Sequence, residues 1–143
     1  MSDHKQTQTN IYPCLYYDDA ATAIEWLCTA FGFTKQFVVL GEGGTIEHAE
    51  LSFGPGVIMV SSAKPDKGWV SPRNLPAVNQ VLCVQTDDPD AHFTQAKAEG
   101  ATILQELKDE EYGSRGYMAK DLEGNHWYFG TYRPGYYWDT NAN

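Results

Sequence analysis

The sequence predicts an α+β fold built from two βαβββ units, and three observations carry that prediction. Residues 12–33 (YPCLYYDDAATAIEWLCTAFGF) are echoed by residues 80–101 (QVLCVQTDDPDAHFTQAKAEGA): an apolar strand, an Asp-Asp pair, a helix and a stopping glycine recur at an offset of about 68 residues. Each copy is followed by three short apolar runs separated by turns that carry glycine. The chain of 143 residues, 42% hydrophobic with nine Tyr, six Phe and four Trp, has enough apolar side chain for one packed interior and is not a disordered composition.

In chain order, residues 1–9 form a polar tail and residues 10–62 the first unit. A strand is expected from Asn10 to Tyr17, then a helix capped by Asp18 or Asp19. Ile24, Leu27, Cys28 and Phe31 fall at i, i+3, i+4 and i+7 of that helix, a stripe that must lie on a sheet, and Gly32 ends it. Strands follow at Phe33–Leu40, Ile46–Phe53 and Val57–Ser62. Residues 63–78, with three prolines and no period, read as the linker. The second unit, residues 79–133, opens with a strand at Asn79–Thr86 and a helix over 89–99 with Asp88 as cap and Pro89 at its first position. Strands at Thr102–Lys108, Arg115–Lys120 and Asn125–Thr131 complete it, and residues 134–143 form a second tail whose Tyr136, Tyr137 and Trp138 read as packing or an oligomer contact.

Lys plus Arg is 10 against 19 Asp plus Glu, a net charge of −9, which argues against nucleic acid and anionic membranes as partners and favours cationic ligands. The polar start and the lack of an apolar run near the roughly 20 residues that cross a bilayer make the cytoplasm the default location. Cys14, Cys28 and Cys83 lie in apolar patterns without CxxC spacing, so they read as small buried thiols and not as nucleophiles, disulfides or zinc ligands. His92 is expected to face solvent from the second helix, and His4 lies in the tail. Walker, dinucleotide and G-x-S-x-G patterns are absent.

The paired units, the first helix ending in F-G-F, and the segment Asp121-Leu122-Glu123-Gly124-Asn125-His126-Trp127 resemble the glyoxalase, bleomycin-resistance and extradiol-dioxygenase superfamily over about residues 10–133. The stretch YGSRGYMAKDLEGNHWYFGTYRP is similar to an uncharacterised glyoxalase-like subgroup. The resemblance implies a curved eight-stranded mixed sheet around a groove, helices on its convex face, and commonly a homodimer. Strand alternation then sends Trp127, Phe129, Ala49, Leu51 and Phe53 to the core and His126, Tyr128, His48, Glu50 and Ser52 to the groove.

The family's metal enzymes take one ligand near the start and one near the end of each unit. In this chain those positions fall on Tyr12, Met59, Gln80 or Val81, and Tyr128, a set too poor in N and O donors for a divalent ion. No cofactor is therefore expected. The groove, lined by Tyr12, Tyr16, Met59, Tyr128 and Trp69 with Gln80, is expected to bind a small molecule, planar or cationic and aromatic, as the drug-sequestering branch of the family does. Arg115 either holds an anionic or carbonyl group of that ligand or pairs with Asp121 or Glu123. The rival expectation is an enzyme, a lyase, isomerase or dioxygenase with a displaced metal at His48, Glu50 and His126, or with His48 and Glu50 as an acid-base pair; the same two residues also suit a solvated pair on one strand.

Overall fold

The computed structural model describes residues 9–138, and His4 lies outside them. The elements run β1 (Cys14–Tyr17), α1 (Ala20–Phe31), β2 (Thr34–Leu40), β3 (Ile46–Phe53), β4 (Gly56–Ser62), β5 (Val81–Gln85), α2 (Pro89–Ala98), β6 (Thr102–Asp109), β7 (Arg115–Lys120) and β8 (His126–Gly130). β1 begins at Cys14, later than expected, behind a proline that has no N–H to add to a ladder. Asp19 caps α1 by accepting from the Thr22 N–H, and Gly32 closes it at φ 82°, a left-handed conformation that a side chain would resist.

The eight strands fall into two four-stranded mixed sheets, ordered β1-β4-β3-β2 and β5-β8-β7-β6, with no strand pair joining them among the described residues. In each sheet the first strand runs parallel to the last and the remaining pairs are antiparallel. The two units share one hydrophobic core. Phe31 and Phe33 of the first unit meet Phe129 and Trp127 of the second at ring-centroid distances of 4.7 and 5.5 Å, and Phe53 reaches Phe129 at 6.4 Å. The helices join the same contact, with the Trp26 indole donating to the Glu99 carbonyl at 2.9 Å and Gln95 to the Thr29 carbonyl at 2.9 Å.

His92 belongs to this junction and does not face solvent as expected. Its ring stacks on Phe129 at 4.0 Å, Nδ1 lies 2.6 Å from the Tyr117 hydroxyl, and Nε2 lies 2.8 Å from the Phe31 carbonyl. A carbonyl only accepts, so the proton sits on Nε2 and Nδ1 accepts from the phenol. Burial lowers the pKa of this imidazole.

The units are also joined by two buried carboxylates in the turn before β8. Asp121 accepts from the Tyr17 hydroxyl at 2.7 Å, the Trp127 indole at 3.0 Å and three backbone N–H groups of its own turn at 3.1 Å each. Glu123 accepts from the backbone N–H of Asp18 at 2.7 Å and of Asp19 at 2.9 Å, from the Ser71 hydroxyl, and from Arg73 at 3.3 Å. Every oxygen of the pair is occupied, which makes two buried carboxylates tolerable. Burial, with Asp121 next, raises the Tyr17 pKa well above its ordinary value, so the phenol remains a donor.

Candidate functional site

Because the core takes the inner faces, the outer faces are left for function. On the first sheet the register sets Cys14 opposite Met59, Met59 opposite Glu50 and Glu50 opposite Phe37, a row of four strands with the core side chains on the other face. Tyr16 and Ser61 lie opposite one another on the same face, as do Val39 and His48. Within that face His48 Nε2 is 2.9 Å from Glu50 Oε2, the two side chains 36% and 42% exposed, and the Phe37 ring stands edge-on to the imidazole at 6.1 Å.

The linker supplies a wall. Pro65 opens a tight helical turn, Gly68 at φ 82° reverses the chain, and paired backbone bonds between Lys64 and Trp69 close the loop. That closure lays the Trp69 indole on Tyr16, centroids 5.3 Å apart and planes 26° from parallel, with Lys67 Nζ 5.2 Å from the indole centre. Beyond it, Ser71 and Arg73 are pinned by Glu123, so the second unit holds the wall in place. Tyr16, Trp69, Cys14 and Gln80 line one cavity of about 550 Å³. Burial, with a smaller contribution from Cys14, raises the pKa of Tyr16 and keeps it neutral.

The second sheet repeats the plan with different chemistry. Cys83 opposes Tyr128 and Tyr128 opposes Met118 on its outer face, with Val81, His126 and Lys120 in the next row. The Tyr128 ring lies flat over the facing glycines 116 and 130, where a Cβ would collide with it. Its hydroxyl is sealed and lacks a partner among the described residues. Burial first, then Tyr112, Glu110 and Cys83, pushes its pKa up to about 12.

The structure thus brings Tyr16, Met59, His48, Glu50 and Trp69 to one sheet face, with Gln80 at its rim. Tyr12 lies just before β1, 43% exposed, with its hydroxyl donating to the Thr9 carbonyl at 2.7 Å. Tyr128 and His126 are on the other sheet. His126 therefore does not join His48 and Glu50, and no cluster of three His, Cys, Asp or Glu suited to a metal ion occurs among the described residues. The phenols, thioether and amide at the family's ligand positions likewise do not fit a divalent ion. Arg115 is not in the groove and does not pair with Asp121 or Glu123. It forks onto Asp90 of α2 at 2.8 and 3.0 Å and reaches Asp109 at 3.3 Å, because those carboxylates flank the start of β7 and Asp121 and Glu123 are already filled. Cys14 and Cys83 are exposed on the outer faces, contrary to the buried reading, and only Cys28 is half-buried. Their alternation with Leu15 and Tyr17, and with Leu82 and Val84, was the signal for that placement.

The arrangement of paired βαβββ units defines a glyoxalase-type fold. The family model described as Glyoxalase/Bleomycin resistance protein/Dioxygenase superfamily matches residues 8–129, and the chain belongs to this superfamily. It is 31% identical over 121 residues to an uncharacterised protein of Mycobacterium bovis, covering 82% of this chain and 80% of the relative. Among solved structures it is similar to TioX from Micromonospora sp. ML1, 32% identical with a TM-score of 0.69 over 87% of this chain and 99% of that one. A glyoxalase/bleomycin resistance protein/dioxygenase family enzyme from Burkholderia phytofirmans PsJN, 15% identical with a TM-score of 0.64 over 84% of this chain and 95% of that one, shares the fold.

Proposed function

We propose that this protein is a metal-free small-molecule-binding member of its superfamily, taking a planar, cationic aromatic ligand on the outer face of the first sheet. The observation that carries the reading is the Tyr16–Trp69 stack at the wall of the cavity of about 550 Å³, on the sheet face that also carries Met59 and the His48–Glu50 pair. Stacking and cation-π attraction contribute about 0.5–2 kcal/mol per aromatic group, and the Glu50 carboxylate and the net charge of −9 favour a cation. A cationic ligand would take over the position that Lys67 holds against Trp69. A panel of cationic planar dyes headed by proflavine, read by thermal shift, tests it. Binding at 100 times Kd should add about 2.7 kcal/mol of stability and vanish in Trp69→Ala, whereas a silent panel, or equal binding by the variant, rejects it.

A second reading is favoured by the 2.9 Å His48–Glu50 contact, which suits a general acid-base pair in a lyase or isomerase. Turnover of an α-oxo or enolisable substrate, lost in both His48→Ala and Glu50→Gln, would establish it. The partner expected besides the ligand is a second copy of the chain, supported by the exposed Phe37, Val39 and Leu40 on the edge strand β2. No helix among the described residues is long and apolar enough to cross a membrane, and a cytoplasmic location remains part of this proposal.

A further inference from the structure

We infer that the outer face of the second sheet carries a separate site for a small apolar molecule bearing one carboxylate, held by Lys120 and His126. The two residues are direct cross-strand partners on β7 and β8, both half-buried, and both line a cavity of about 980 Å³ between that sheet and the linker. That volume lies at the upper end of the range for small-molecule sites, roughly 300–1,000 Å³.

The charges of this region are unevenly satisfied. Arg73 and Glu123 also line the cavity, but Arg73 and the Asp19 N–H share Glu123 Oε2, and the Asp18 N–H and the Ser71 hydroxyl occupy Oε1. Lys35, Lys108, Arg115 and Arg133 each have a carboxylate within 4 Å, whereas Lys64, Lys67 and Lys97, like Lys120, have none among the described residues, Lys67 and Lys97 lying over aromatic rings instead. Lys120 has neither a carboxylate partner nor a side-chain hydrogen bond among the described residues, in a chain with 19 acidic residues to choose from, and His126 is likewise unpartnered. A half-buried ammonium next to an imidazole, facing a cavity, is a site for an anion. One mobile ammonium with one imidazole suits a single carboxylate better than a doubly charged phosphate. Leu75, Val81 and Leu104 give the cavity an apolar wall, and Asn79 and Gln80 add amides at its rim. The ligand is thereby an amphipathic monoacid, opposite in charge to the one proposed for the first sheet and anchored by Lys120 and His126 in place of Tyr16 and Trp69, although linker residues such as Leu75 and Gln80 line both cavities.

The full chain, labelled with ¹⁵N, should be titrated with 1-naphthoate and, in parallel, with neutral 1-naphthamide. The expected result is saturable shifts at the amides of Val81, Lys120 and His126 with naphthoate, a Kd at least tenfold weaker in Lys120→Gln, and unchanged naphthoate binding in Trp69→Ala. Unaltered urea midpoints for both variants show that folding is intact. Equal binding of acid and amide, shifts confined to the Tyr16–Trp69 side, no saturation by about 10 mM, or full affinity in Lys120→Gln would each overturn the assignment. So would loss of self-association in Lys120→Gln without loss of a carboxylate site, because it would give Lys120 to a contact between copies. Failure of the proflavine panel leaves this site untouched, and failure here leaves that reading untouched.

Discussion

Glu123 ties two distant segments to the second unit, because its one carboxylate accepts from the backbone ahead of α1 and from Ser71 and Arg73 of the linker. Truncation to alanine strands two backbone N–H groups and a buried serine hydroxyl, and each buried unsatisfied group costs about 1–3 kcal/mol. Glu123→Ala is therefore expected to lower the urea midpoint sharply, and the same substitution should free the Trp69 wall, seen as a shift of tryptophan emission before global unfolding. His92 gives a pH dependence with a definite sign. Burial holds its folded pKa below the unfolded value of about 6.5, so the unfolded chain binds more protons and stability is lost as pH falls below that value toward the folded pKa. Wild type should lose more stability than His92→Gln between about pH 6.5 and 5, measured by urea unfolding at each pH; parallel curves would reject this account.

At the level of elements, the caps and glycines set where strands and helices stop. Asp19→Ala removes the acceptor for the Thr22 N–H and should cost about 1 kcal/mol, read as a lower melting temperature, with Asp19→Asn nearly neutral. Gly130 sits in β8 without needing an unusual backbone conformation. A Cβ there would stand 2.6 Å from the Tyr128 hydroxyl and 2.7 Å from the Arg115 carbonyl. Gly130→Ala is accordingly expected to destabilise by about 1–3 kcal/mol and to displace the Tyr128 ring, visible as a changed tyrosine signal in near-ultraviolet circular dichroism. The glycine pair 116 and 130 explains how a large phenol fits flat on a sheet face, a feature invisible in the sequence because neither glycine lies in a turn.

For the whole molecule, two separate sheets that share one core leave two outer faces that differ in chemistry, aromatic and acidic on the first, basic and apolar on the second. The exposed edge of β2 is the surface proposed for a second copy. Sedimentation should then report twice the 16.0 kDa chain mass, and Phe37→Glu should yield a folded monomer. A monomer for the wild type at micromolar concentration would remove the second copy from the reading.

The duplication, the element order and the sorting of strand residues between two faces were all legible in the sequence, because periods of 3.6 and 2 are local consequences of backbone geometry. Ile24, Leu27 and Phe31 on α1 and Trp127 and Phe129 on β8 are buried for that reason. The same alternation placed Cys14 and Cys83 outside, yet their apolar neighbours and the lack of CxxC spacing suggested thiols in the core. What lies near what across the units was decided by tertiary packing. Arg115 met Asp90, residues 25 apart, His92 turned into the junction, and His126 was kept from His48 and Glu50, since contacts between distant segments depend on how two complete sheets dock and leave no period in the chain.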